Sequence, residues 1–73
     1  MWEVKIYLAG NKEDPFVTFD SRSEAEKFRD VVANIMMNKG LVTFDRDGRN
    51  FTVDGAHVAM VEMYQAYRGE KIW

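Results

Sequence analysis

Between Trp2 and Leu8 the chain alternates without a break, with Trp2, Val4, Ile6 and Leu8 on one side and Glu3, Lys5 and Tyr7 on the other. Successive side chains of a strand point to opposite faces, so this segment reads as a β-strand with one face in a core and one in water. An antiparallel sheet covered on one face meets that requirement, whereas parallel sheets are buried on both. A length of 73 residues sets the scale at one small domain, residues 1–73, with a single core. Apolar residues at 47% and charged residues at 30% give the balance of a folded globular chain.

Ala9 to Pro15 gathers Gly, Asn, Asp and Pro, the residues that reverse a chain, and Phe16 to Phe19 reads as the returning strand of a first hairpin. Ser21 and Glu24 match a capping box, which predicts a helix starting near Ser21 or Ser23. Along it, Ala25, Phe28, Val31, Val32, Ile35 and Met36 fall within an arc of about 140°, the stripe expected to meet the sheet. Lys39 and Gly40 supply the stop, glycine being the residue suited to a left-handed cap. Asp47-Gly48, between the β-rich runs Leu41–Phe44 and Asn50–Val53, predicts a second hairpin with Val42, Phe44, Phe51 and Val53 turned inward.

The architecture turns on Gly55 to Arg68. Read as a strand, both alternate sets are mixed: Val58, Met60, Glu62 and Tyr64 against His57, Ala59, Val61 and Met63. Read as a helix, Ala56, Ala59, Met60, Met63, Ala66 and Tyr67 form one face, and Asp54 and Gly69 stand at the two cap positions. The Ala, Met, Glu and Gln content also favours helix. The expected fold is therefore α+β in two layers, an antiparallel sheet of about four strands with two helices on one face, in the order β-β-α-β-β-α. In the alternative the last element is a strand, β-β-α-β-β-β.

Ten Lys and Arg against twelve Asp and Glu leave a formal charge of -2, without the electropositive footprint of a nucleic-acid binder. The absence of cysteine removes disulfides, thiol nucleophiles and Cys-based zinc sites. The longest uncharged run, Val31 to Asn38, is far shorter than the roughly 20 residues of a membrane span. No basic and apolar leader opens the sequence, so a cytoplasmic protein without membrane contact is expected. The single histidine, His57, has Asp54 and Glu62 nearby in sequence and no third group to complete a catalytic set, so a cap-associated role is expected. Asp45 to Asn50 resembles a calcium loop only at its start, since the sixth and twelfth positions hold Asn50 and Ala56. No catalytic residue, metal site or cofactor is expected.

Lys5-Ile6-Tyr7-Leu8-Ala9-Gly10 resembles the opening strand and loop of the nucleoside 2-deoxyribosyltransferase family, which implies a parallel strand running into a substrate loop. Six residues carry the resemblance. The family commonly has proline after that glycine where Asn11 stands here, and a hairpin is expected next rather than a crossover helix. No site residue is carried over.

Apolar side chains left outside the predicted core are the remaining functional signal. Val58 and Val61 would point outward from the second helix and Met37 from the first, and stiff β-branched valines are poor choices for a wet helix surface. With Tyr64, Ile72 and Trp73 they define a candidate protein interface. A rival surface is the open sheet face with Lys5, Tyr7 and Phe16, where stacking aromatics beside a cation would suit single-stranded nucleic acid. A domain of this size without disulfide or metal is marginal alone, so a homodimer is expected. The sequence thus reads as a non-enzymatic protein-binding module of adaptor or inhibitor type, encoded by a phage or mobile element, acting through an apolar patch or a sheet edge.

Overall fold

Two hairpins, one helix and a final strand make up the computed structural model, which describes residues 1–10 and 14–66. The first hairpin is β1 (Trp2–Leu8) and β2 (Phe16–Phe19), as the alternation requires. Helix α1 (Arg22–Asn38) follows, then β3 (Leu41–Arg46), β4 (Arg49–Asp54), a single 3-10 turn at Gly55–His57, and β5 (Val58–Gln65). The sheet order is β2-β1-β5, all antiparallel, with β3 and β4 forming a separate two-stranded ribbon. Among the described residues no helix is long and apolar enough to cross a membrane.

The start of α1 follows from its capping residues. Ser21 is extended, its Oγ accepts the Glu24 N–H at 3.2 Å, and it donates back to the Glu24 carboxylate at 3.4 Å. The end differs from the expectation. Lys39, rather than Gly40, takes the left-handed conformation, with φ 58° and ψ 36°. Gly40 serves another purpose, accepting the Gly55 N–H on its carbonyl at 2.8 Å, so the helix end lies directly against the 3-10 turn. A left-handed conformation costs a residue with a Cβ about 1 kcal/mol. Lys39→Gly is accordingly expected to stabilise the fold by up to about 1 kcal/mol, read as a raised urea midpoint with an unchanged slope.

The predicted second helix is not formed; Gly55–His57 is one 3-10 turn and Val58–Gln65 is a strand, in agreement with the alternative order β-β-α-β-β-β. The cap signal at Asp54 is real, its Oδ1 accepting the Ala56 N–H at 3.0 Å, but it starts a single turn. Leu8 pairs with Val58 while Tyr7 pairs with Met60, so Ala59 is the extra residue of a β-bulge. Before the bulge Val58 faces the core; after it Val61 and Met63 do, opposite Ile6 and Val4. That phase shift places two core valines three residues apart, which is the spacing of a helix face. The predicted Arg68 and Gly69 helix end lies outside the described residues.

The core gathers on the β1 face that α1 covers. Ile6, Val32, Val53 and Val58 form its centre, with Leu8, Phe28, Met36, Val42, Phe44 and Val61 packed around them. The inward set of the second hairpin is as predicted, and its tight turn at Asp47-Gly48 has φ 51° and 76°, as a two-residue type I′ turn needs. A chain of rings ties the ribbon to the helix: Phe19 to Phe28 at 5.5 Å, Phe28 to Phe44 at 5.3 Å, and Phe44 stacked on Phe51 at 5.4 Å. Val31, at the margin of the predicted stripe, is 46% exposed, because with one helix instead of two no described element covers that flank.

Candidate functional site

Backbone hydrogen bonds set which groups each strand leaves unpaired. Ala66 N–H donates to the Met1 carbonyl at 2.8 Å and Ile6 N–H to the Pro15 carbonyl at 2.9 Å. In an antiparallel ladder the bonded side alternates residue by residue, so odd-numbered residues of β1 bond β5 and even-numbered ones bond β2. On β5 the groups of Met60, Glu62 and Tyr64 then point to β1, and those of Val61 and Met63 point outward, where no other described strand pairs with them. This outer edge runs along the longest of the described strands and carries no Lys, Arg or Pro, the residues that usually guard an edge. Its single charge, Glu62, accepts a 2.7 Å hydrogen bond from Tyr7.

The other edges are blunted. β2 has four residues, and the Arg46 guanidinium donates to its Phe16 carbonyl at 3.0 Å while lying 4.3 Å from the Phe16 ring centre. β3 and β4 carry Asp45, Arg46, Arg49 and Asp54 near their ends.

The open face of the three-stranded sheet is a network of tyrosine and carboxylate pairs. Tyr64 donates to Glu3 directly across the ladder, Tyr7 donates to Glu62 on the diagonal, and the Lys5 ammonium lies 5.1 Å from the Tyr7 ring centre. Both hydroxyls are therefore committed to carboxylates. Phe16 is covered by Arg46. The rival surface of Lys5, Tyr7 and Phe16 is present as a face, with Glu3 and Glu62 beside its lysine and Arg46 over its phenylalanine.

The hydrogen bond to Glu3 is the main reason the Tyr64 hydroxyl is pushed up to about 12, with burial and the charge of Glu3 adding to it. Tyr7 is raised as well, chiefly by its bond to Glu62. In the unfolded chain Tyr64 ionises near 10.0, so between the two values the folded state holds a proton the unfolded state has lost. This contribution is complete below pH 10 and disappears as pH rises through 12. A tyrosinate absorbance titration should show its highest step removed in Tyr64→Phe and moved to lower pH in Glu3→Gln; unchanged curves would refute the pairing.

The structure does not assemble the predicted patch. Val58 is buried and Val61 half-buried, both on the core side of β5, and Tyr64 is on the opposite face. Met37 is 83% exposed on α1, as expected from its place outside the stripe. Ile72 and Trp73 lie outside the described residues. His57 is exposed, its Nδ1 3.3 Å from the Asp54 carboxylate.

Sequence reading passed over Arg46 and Arg49. A two-residue turn at Asp47-Gly48 makes them direct cross-strand partners, so the pair could have been found by extending the hairpin one residue each way. Comparison with models of known protein families and with curated proteins finds no match to this chain.

Proposed function

We propose that the protein is a small non-enzymatic protein-binding module that takes its partner by strand addition along the outer edge of β5. What supports the reading is that edge: eight residues long, without cationic or proline guards, and with the outward backbone groups of Val61 and Met63 unpaired by any described strand. Main-chain pairing supplies the affinity in such an arrangement, and side chains alternating between the two faces supply the selectivity. Met60, 49% exposed on the open face, is the apolar side chain best placed to meet an added strand.

A second copy is the simplest partner. Two β5 edges paired antiparallel about a two-fold axis would join the three-stranded sheets into one continuous sheet, a closed and self-complementary contact. The role is that of an adaptor or inhibitor, with the edge as its working surface and a cytoplasmic setting.

The test begins with sedimentation equilibrium of the wild type and of Met60→Lys, which introduces the missing guard on a solvent-facing position. Where the wild type is monomeric, a partner captured by affinity purification and then purified replaces the second copy. Association should weaken at least about tenfold in Met60→Lys with an unchanged circular dichroism spectrum. Chemical synthesis with an N-methyl group at Val61, which removes one outward donor and leaves the β1 ladder intact, should have the same effect. Equal association by both variants would end the proposal.

A further inference from the structure

A cavity of about 610 Å³ lies between β4, the junction of β1 with β2, and His57. Its volume falls in the range of small-molecule sites, roughly 300 to 1,000 Å³. Leu8, Pro15, Phe51 and Val53 give it apolar walls, and Arg46 and Arg49 stand together on its lining.

The two arginines are the unusual feature. They face one another across the ribbon as a direct pair, and like charges in that position repel. Neither acidic residue on the same lining forms an ion pair with them. The Asp14 carboxylate accepts the Leu8 N–H at 3.0 Å, and Asp54 accepts the Ala56 N–H and stands 3.3 Å from His57. The Arg46 Nε is buried without a hydrogen-bond partner, the Asp47 carboxylate being 3.8 Å away, in range for charge attraction but too far for a hydrogen bond. The Arg49 guanidinium has no hydrogen-bond or ion-pair partner among the described residues. A buried donor without an acceptor and a second guanidinium beside it are complementary to an oxyanion, which a planar fork binds through two parallel hydrogen bonds.

We infer that this cavity binds a small organic acid, its carboxylate or phosphate held by Arg49 and Arg46 and its apolar body against Phe51, Val53, Leu8 and Pro15. The site is independent of the β5 edge. Arg49 is the specificity determinant, since Arg46 also clamps the ribbon to β2 through the Phe16 carbonyl.

The test is an amide chemical-shift titration of the full chain at constant ionic strength, with benzoate, phenyl phosphate and the neutral benzyl alcohol as probes. At least one acid should give saturating shifts centred on the amides from Arg49 to Val53, while benzyl alcohol gives none that saturate. The tighter of the two acids names the head group. Arg49→Gln, which sits on an exposed residue and removes the repulsion, should keep the dispersed spectrum and weaken the acid about tenfold or more. Saturating shifts by neither acid, equal binding of benzyl alcohol, or unchanged affinity in Arg49→Gln would each overturn the assignment.

Discussion

Gly55→Ala will lower the thermal midpoint by roughly 12 °C or more. A Cβ built on Gly55 would stand 2.0 Å from the Ile35 carbonyl oxygen, 2.5 Å from its carbon and 3.1 Å from the Gly40 oxygen. These are backbone atoms, so no side chain can rotate aside. The Ile35 oxygen is fixed as the acceptor of the Gly40 N–H at 3.2 Å, and Gly40 in turn accepts from Gly55. The end of α1 would have to lift from the turn, opening the contact over Ile35 and Val32. Overpacking of this kind reaches about 3 kcal/mol. Chains of this size have roughly 4 to 11 kcal/mol in all. Gly48→Ala makes the comparison, because its added Cβ meets nothing within 4 Å and only the positive φ of 76° is at stake, a cost of about 1 kcal/mol. Equal losses in the two variants, measured by thermal and urea unfolding, would contradict the steric account.

Ile6→Ala is expected to cost about 4 kcal/mol and to leave little folded protein at ambient temperature. Ile6 is fully buried where helix, ribbon and β5 meet, through Val32, Val53 and Val58. Those three neighbours are β-branched and hold one preferred side-chain rotamer, so they cannot close over the space left behind. Ile6→Val removes one methyl group from the same site and should cost about 1 kcal/mol. A loss below about 1 kcal/mol for the alanine variant would mean that the three layers do not converge on this residue.

Local signals were legible in the sequence and long-range ones were not. The alternation of Trp2 to Leu8, the Ser21 and Glu24 box and the inward set of the Asp-Gly hairpin depend on neighbours a few residues apart, and each is found where it was read. The last third was misread because strand pairing supplied what local propensity lacked. β1 needs a partner on each edge, and β5 fills the second place despite its Ala, Met and Glu content. The bulge at Ala59 then disguised the period, since a strand that changes phase between Val58 and Val61 shows helical spacing. With the helix went the outward valines and the patch built on them. The arginine pair was hidden for a different reason: two charged residues flanking a turn read as solvent-facing until the register sets them side by side against the end of β1.

The hydrogen bond between Met1 and Ala66 has a consequence for synthesis in the cell. The central strand β1 is made before both of its neighbours, and β5, the second of them, follows only after the helix and the ribbon. Until then the core side of Val4 and Ile6 lacks the cover that Val58 and Val61 supply. Stalled or truncated chains ending before Val58 would thus carry an unfinished hydrophobic seam, and their clearance or protection by chaperones is a requirement that the strand order itself imposes.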